Sequence, residues 1–318
     1  MQAAVLRKFH SELSIEDIEP PEGNEGEEVI KVISSGLCRT DLHLIDGLYT
    51  DLNLPIVLGH EVSGLSESLG PVIVYGSKGC GTCYYCKRGD FQLCESSSDI
   101  GINKNGGFAE YILAPRMNLI PIGEIGPVRA SVLADAGVTA YRAVRKLWQF
   151  LEQDDDVLII GGTGGVAMFV IQFLKLFHKV NVTTLSRNKE KFEMAYKYGA
   201  DLAVGYDQKL GEYKAIVDLV GSTETIALGN RHLLKSGILL IVGEEGGSFN
   251  VNYRDVHHGE QVYAASLWGS LKDLKEVVEI AKQKQLSWDI KKFKLTSINS
   301  AIRELREGMI EGRAVIEP

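Results

Sequence analysis

Five cysteines are the most telling residues in this 318-residue chain. Four of them, Cys80, Cys83, Cys86 and Cys94, follow the pattern C-x2-C-x2-C-x7-C, with Gly79, Gly81 and Gly89 interleaved. Thiolates at this spacing can converge on one point. Four of them complete a tetrahedral Zn²⁺ shell at about 2.3 Å with no open position. The pattern predicts a structural metal lobe over residues 79–95, which staples the chain rather than turning over substrate. Four thiolates would also suit an iron–sulfur cluster. A zinc-ribbon module would need a nucleic-acid partner, and chance clustering of core cysteines is the bland reading.

The fifth, Cys38, opens C-R-T-D-L-H after the extended-looking run EVIKVIS (28–34). Further on come Gly59-His60-Glu61, and later Asp135 within LADAGVTAYRAV. One thiolate, one imidazole and one carboxylate supply three protein ligands and leave a fourth metal position open, as catalytic zinc requires. Sequence order alone does not bring these groups together, and a lone cysteine or histidine is more often a packing residue.

A third pattern concerns phosphate. The apolar run VLII (157–160) reads as a buried strand. It is followed by Gly161-Gly162-Thr163-Gly164-Gly165-Val166-Ala167 and an apolar-periodic helix, MFVIQFLKLF. Gly162-x-Gly164-x-x-Ala167 fits the dinucleotide fingerprint: a tight turn at Gly162, close backbone approach to pyrophosphate at Gly164, and helix–strand packing at Ala167. The turn from Gly162 through Gly164 and Gly165 to Val166 is the expected cofactor cradle. A second strand, VNVTTL (180–185), ends in Leu185-Ser186-Arg187 where NAD-binding folds usually carry an acid. A hydroxyl and a guanidinium suit a 2′-phosphate, which an acid would repel. Ser186 and Arg187 therefore favour NADP(H) over NAD(H), against the bland reading of a solvated loop.

These groups need a scaffold. The strands KAIVDLVG (214–221) and GILLIVG (237–243) continue a βαβ rhythm that predicts a doubly wound parallel α/β sheet. Residues 270–284 show helical periodicity, with Leu271, Leu274, Val277, Val278 and Ala281 on one face. The 45% hydrophobic content is that of a chain with a real core, and the length suggests two domains at roughly 100–200 residues each. With 34 basic against 42 acidic residues, the net charge is −8, a poor basis for binding nucleic acid or an anionic membrane. The first residues reach charge early and lack a long apolar stretch. No apolar run approaches the roughly 20 residues that span a bilayer. A cytoplasmic protein with reduced thiols and no membrane partner is expected.

Taken together, these motifs resemble the zinc-dependent medium-chain alcohol dehydrogenases. The resemblance runs nearly end to end and includes Gly106-Gly107-Phe108-Ala109-Glu110-Tyr111, Ala136-Gly137-Val138-Thr139-Ala140-Tyr141 and Gly312-Arg313-Ala314-Val315. It implies a Rossmann domain at 136–263 and a discontinuous GroES-like β-barrel catalytic domain at 1–135 and 264–318. It implies two zinc ions per chain, a nicotinamide cofactor, and hydride transfer to or from a small alcohol, ketone or aldehyde.

Residue by residue, the resemblance matches Cys38 and His60 to ligands of the catalytic zinc, with Asp135 where many members have a second cysteine. Glu61 corresponds to a carboxylate that can approach the metal. Thr40 matches the hydroxyl that accepts the substrate proton and His43 the group that passes it on, while Asp41 corresponds to the carboxylate that orients the ligand histidine. Arg39 and Arg313 match pyrophosphate contacts, Thr139 a nicotinamide-side contact and Lys191 a lysine near the adenosine ribose. The backbones around Val242 and Trp268 fall where the carboxamide is held. A homodimer or homotetramer through the Rossmann edge strand near 262–268 is implied. Tyr49 is a candidate for the substrate pocket or an ordinary loop tyrosine.

The chain departs from the pattern between Gly59 and Cys80, where something like twenty residues are missing around Gly70-Pro71. A trimmed barrel with a more open edge is expected there. Two alternatives stand beside the main reading: a zinc-free quinone or enone reductase of the same superfamily, and a non-catalytic binding protein that retains the fold.

Overall fold

The computed structural model describes residues 1–48 and 52–318. The chain divides into two compact units, Met1–Val138 with Gly269–Pro318, and Thr139–Trp268. The first opens with β1 (Gln2–Leu6), β2 (Ser14–Asp17) and β3 (Glu27–Leu37), then α1 (Arg39–Ile45) and β4 (Ile56–Val57). The hairpin β5 (Glu61–Ser66) and β6 (Gly70–Val74) follows, then the short pair β7 (Ser77–Lys78) and β8 (Ser98–Asp99). Strands β9 (Tyr111–Pro115) and β10 (Leu119–Pro121) and the one-turn α2 (Pro127–Ala130) complete this stretch. Helix α3 (Ala136–Leu147) carries the chain into the second unit. There β11 (Asp156–Ile160), α4 (Ala167–Phe177), β12 (Asn181–Leu185), α5 (Phe192–Lys197) and β13 (Leu202–Val204) alternate. They are followed by β14 (Tyr213–Asp218), α6 (Thr223–Arg231), β15 (Leu233–Ile241), α7 (Tyr253–Gly259) and β16 (Val262–Ala265). The first unit resumes with α8 (Leu271–Lys282), β17 (Ile290–Lys294), α9 (Ile298–Arg306) and β18 (Arg313–Glu317).

The first unit is built on a mainly antiparallel sheet ordered β10-β6-β5-β3-β18-β17, with β9 also on β3. Strand β3 serves three partners along its length. Residues 27–31 pair with β9, residues 31–36 with β5 and residues 35–37 with β18, and the β5 pairing carries an irregularity between Val32 and Ser34. Such a bulge bends a strand and increases its twist. The barrel interior is filled by Ile30, Val32, Val62, Val72, Val74 and Ile112.

The shortened segment is a tight hairpin, with Ser66 opposite Gly70 and Leu65 opposite Pro71. It does not leave the open edge expected from the sequence. Strand β6 is flanked by β5 on one side and by β10 on the other, with Leu119 opposite Val74. The turn is held from below by the buried Glu28 carboxylate. Glu28 accepts hydrogen bonds from the Ser66 and Ser68 hydroxyls and from the Ser68 backbone N–H.

In the second unit six parallel strands lie in the order β13-β12-β11-β14-β15-β16. The order reverses between β11 and β14, which is the doubly wound arrangement. Strand β11 is buried along Val157–Ile160 and α4 along most of its surface, as expected of a parallel sheet covered on both faces. Register aligns the strand ends: Val204, Leu185, Ile160, Asp218, Ile241 and Ala265 form one row. Every loop that follows this row therefore emerges on the same side. Among the predicted apolar positions of α8, Leu274, Val277, Val278 and Ala281 are buried and Leu271 is half-exposed.

Candidate metal and cofactor sites

In the lobe, Cys80, Cys83, Cys86 and Cys94 converge, their sulfurs lying within 4.8 Å of one another. Cys80 Sγ and Cys86 Sγ are 3.9 Å apart. Two thiolates on one tetrahedral zinc at about 2.3 Å would stand about 3.8 Å apart. Backbone N–H groups of Cys80, Cys83 and Cys86 donate to the sulfurs of Cys94, Cys80 and Cys83, each at 3.4 Å. Hydrogen bonds of this kind favour charged sulfur. Those from Thr82 bring the Cys80 thiol down to about 6, while burial pushes Cys86 up to about 12. The donor set and its spacing fit Zn²⁺.

The second cluster is assembled by sheet register. Gly36 of β3 lies opposite Glu61 of β5 and opposite Val315 of β18. That register brings three neighbouring positions together: Cys38 beyond the end of β3, His60 and Glu61 at the start of β5, and Arg313 at the start of β18. Gly36 is required here, because a Cβ at this position would overlap the Glu61 side chain. Asp135 arrives from the turn that follows Ser131–Ala134. The ligating atoms of Cys38, His60, Glu61 and Asp135 lie within 4.8 Å of one another. Cys38 Sγ is 3.3 Å from Asp135 Oδ2, and His60 Nε2 is 3.8 Å from the same oxygen. Zinc bond lengths place a thiolate about 3.5 Å, and an imidazole nitrogen about 3.3 Å, from a carboxylate oxygen on the same ion. The set fits a metal with three or four protein ligands.

Asp41, wholly buried, organises this cluster from behind. Its Oδ2 accepts from the Cys38 N–H at 2.8 Å and its Oδ1 from the Gly59 N–H at 3.3 Å, and Oδ1 lies 3.5 Å from His60 Nδ1. One carboxylate thus fixes the backbone at or beside two donors and orients the imidazole. Burial alone works against a charged His60. The Asp41 charge, with Asp135, Asp41 and Cys38 around the ring, outweighs it and holds the imidazole pKa well above its ordinary value. The charges around the ring therefore favour a cation at this imidazole.

Glu61 is wholly buried and its carboxylate contacts the Arg313 guanidinium, which also lies 3.9 Å from Asp135 Oδ2. Arg313, expected at the pyrophosphate, is thus seated on the ligand cluster and nearly buried. On α1, Thr40 Oγ1 is 3.8 Å from Cys38 Sγ. His43 follows one turn later, half-buried, and Arg39 is exposed. Tyr49 lies outside the described residues.

The phosphate turn sits at the C-terminal end of β11. The positive φ of +79° falls at Gly161 rather than at Gly162, where the sequence suggested the tight turn. Gly162 is needed for a different reason, since a Cβ there would overlap Thr184 of β12. Both glycine N–H groups donate to Leu185 O, at 2.9 and 3.1 Å. Gly164, Gly165 and Val166 lead into α4, which begins at Ala167. Ser186 Oγ is 2.7 Å from Thr163 Oγ1, so the hydroxyl after β12 is tied to the turn after β11, while Arg187 is exposed.

Sequence reading missed Tyr206. Its hydroxyl is pushed up by burial and eased down by the nearby Arg187 charge. The signal lies in register: Val204 pairs with Leu185, so the loop after β13 must run beside the loop after β12. Lys191 lies in a short 3-10 turn ahead of α5, and Val242 N–H donates to Asp218 O at 2.8 Å. Thr139 is buried near the start of α3, and Trp268 closes the second unit with a left-handed φ of +43°.

Residues 24–124 match the alcohol dehydrogenase GroES-like domain, and residues 165–283 match the zinc-binding dehydrogenase domain. The chain is 35% identical to a D-arabinose 1-dehydrogenase (NADP(+)) of Saccharolobus solfataricus, over all of this chain and 97% of that protein. It is 32% identical to an NAD-dependent alcohol dehydrogenase of Sulfolobus acidocaldarius, over all of this chain and 99% of that one. Its structure is similar to the crystal structure of the alcohol dehydrogenase from Aeropyrum pernix, with a TM-score of 0.94, 31% identity and full coverage of both chains. The protein belongs to the zinc-binding medium-chain alcohol dehydrogenase family, with a GroES-like and a Rossmann domain. Its reaction class is hydride transfer between a nicotinamide cofactor and an alcohol or carbonyl compound.

Proposed function

We propose that the chain is an NADP(H)-preferring alcohol dehydrogenase or carbonyl reductase holding two zinc ions. One would sit in the four-cysteine lobe, and one on Cys38, His60 and Asp135 with Glu61 in reserve. The observation that carries this reading is the convergence of the four donor side chains within 4.8 Å beside Thr40. A zinc ion there supplies Lewis acidity, which polarises a carbonyl or acidifies an alcohol. The chain's own groups do the rest. Asp41 fixes the donors, Thr40 exchanges the proton of the substrate oxygen, and half-buried His43 relays it toward water. Reduction is the expected physiological direction if NADPH is the cofactor.

The NADP(H) preference rests on Ser186 and Arg187, to which the fold adds Tyr206. Relatives named for NADP(+) and for NAD both match, so kinetic comparison decides the matter. On this reading the turn Gly162–Val166 cradles the pyrophosphate and Lys191 approaches the adenosine ribose, while Arg313 serves the ligand cluster on which it is seated. Thr139 and the backbones at Val242 and Trp268 hold the nicotinamide end. Strand β16 pairs only with β15 among the described residues, and it is the edge proposed for a homodimer or homotetramer. No described helix is long and apolar enough to cross a membrane. The cytoplasmic placement follows from reading all five cysteines as thiolate ligands, which a reducing compartment preserves.

The test is metal analysis together with oxidation of NADPH and NADH across a panel of aldehydes and ketones. About two zinc ions per chain and NADPH turnover are expected. A metal-free active protein would favour the quinone or enone reductase reading, and zinc-replete protein without turnover the binding-protein reading.

A further inference from the structure

Tyr75, immediately after β6, is wholly buried, its ring 6.4 Å from that of Phe91. Its hydroxyl lies 2.9 Å from the backbone oxygen of Gly269 and 3.2 Å from Gln92 Oε1. A phenol has one proton to give, and both neighbours as placed are acceptors. The shorter contact takes the proton. Gln92 keeps its Oε1 toward Tyr75, because its Nε2 donates to Asp90 Oδ1 at 3.5 Å. The Tyr75 hydroxyl thus joins Gln92 and Gly269 in one chain of polar contacts.

The ends of that chain are informative. Gln92 is buried in the turn Phe91–Leu93, directly before Cys94, whose N–H donates to Phe91 O at 3.0 Å. Phe91 packs beside Gly79, and Gly79 sits against Cys86 Sγ, so this turn is part of the four-cysteine lobe. At the other end, Gly269 is where the chain re-enters the first unit. It is packed so closely on Val138 that a Cβ would overlap that side chain. The next residue, Ser270, is locked by Asp273, which accepts from its N–H at 2.8 Å and its hydroxyl at 2.7 Å. The preceding residue, Trp268, has φ +43°, a conformation a bulky residue keeps only when its surroundings enforce it.

We propose that Tyr75 is a positioning residue that ties the four-cysteine lobe to the backbone at Trp268, so that an intact lobe tightens the grip on the nicotinamide end of the cofactor. The inference rests on the reading of Trp268 as a carboxamide-side contact. It gives the lobe a part in cofactor binding beyond stapling its own loop.

The test uses the zinc-loaded full chain and Tyr75→Phe, which keeps the buried ring and removes only the hydroxyl. Gln92→Met is the second variant, sparing the bond to Gly269 but cutting the tie to the lobe. Three quantities are measured: zinc content, the Kd of NADPH or NADH (whichever the wild type binds more tightly), and the Kd of the matching ADP-ribose or 2′-phospho-ADP-ribose, which lacks nicotinamide. Tyr75→Phe is expected to keep both metals and weaken the dinucleotide about fivefold, the equivalent of one lost hydrogen bond. It should leave the ADP-ribose probe unchanged and speed hydrogen exchange at residues 268–270. Gln92→Met should shift the dinucleotide in the same direction by a smaller factor. Unchanged dinucleotide affinity in Tyr75→Phe, or equal weakening of both ligands, overturns the proposal. Wild-type protein that binds ADP-ribose and the dinucleotide equally well would instead refute the assignment of Trp268 to the nicotinamide end.

Discussion

Glu28→Gln tests how the shortened hairpin is held. The Glu28 carboxylate accepts from the Ser66 hydroxyl, from the Ser68 N–H at 3.2 Å and from the Ser68 hydroxyl at 2.7 Å, with Arg116 Nε 3.9 Å away. Led by the Ser66 hydroxyl, these donors bring its pKa from an ordinary 4.5 to about 2. At about 1.4 kcal/mol per pH unit, that difference corresponds to about 3 kcal/mol of folding stability. The carboxylate lies just beneath exposed turn residues and near solvent, so screening reduces that figure. A glutamine keeps the shape and one acceptor oxygen but loses the charge, so about 2 kcal/mol should be lost at pH 7. The folded pKa is depressed, so the contribution is complete above the unfolded value near 4.5 and fades as pH falls toward 2. Urea or thermal unfolding of both proteins between pH 7 and pH 3 should show a gap that narrows on acidification. A gap below about 0.5 kcal/mol at pH 7, or one that does not change with pH, would show that the serines do not hold a charged carboxylate.

Asp135→Ala should lose the zinc of the open site and most activity while the lobe keeps its own, read as a fall from about two metals per chain to about one. Full metal and activity would make Glu61 the better third ligand. Arg187→Ala should lower kcat/KM with NADPH by about tenfold to a hundredfold and leave NADH nearly untouched, as expected for loss of a guanidinium–phosphate contact; equal losses with both cofactors would reject the 2′-phosphate role. His43→Gln should slow turnover by about tenfold or more with unchanged zinc content, and added imidazole buffer should restore part of the rate. Unchanged rates across pH would remove His43 from the proton path.

Short-range patterns were the legible ones. The cysteine lobe and the glycine turn each occupy one stretch of chain, so spacing alone brings their atoms together. The parallel sheet was legible because its strands are continuous apolar runs, as at Val157–Ile160. What sequence could not supply was register. Arg313 reaches Glu61 only because Val315 pairs with Gly36 and Gly36 with Glu61. Tyr206 approaches Arg187 only because Val204 pairs with Leu185. Glu28 reaches the hairpin only because β3 runs beside β5. A one-residue slip in any of these pairings would turn the side chain to the opposite face.

Register also bears on the choice of ligands. With Cys38 and Asp135 as proposed ligands and Glu61 beside them, three anions face one divalent ion, one more than neutrality needs. The Arg313 guanidinium sits on the Glu61 carboxylate, and both are buried. That pairing cancels the surplus, so the thiolate of Cys38 and the carboxylate of Asp135 balance Zn²⁺ between them. Aspartate in place of a second thiolate is then no defect. It keeps the charge of the shell and offers a harder donor, which leaves the metal more Lewis-acidic. Arg313→Met would break this balance. It should either drive Glu61 onto the metal or raise its carboxyl pKa sharply, because a buried carboxylate without its guanidinium is costly. Cobalt substitution would separate these outcomes, since a change in coordination number alters the visible spectrum and protonation of Glu61 alone does not. A wild-type spectrum together with an unchanged pH dependence of stability and activity would show that Arg313 plays no part in the charge balance.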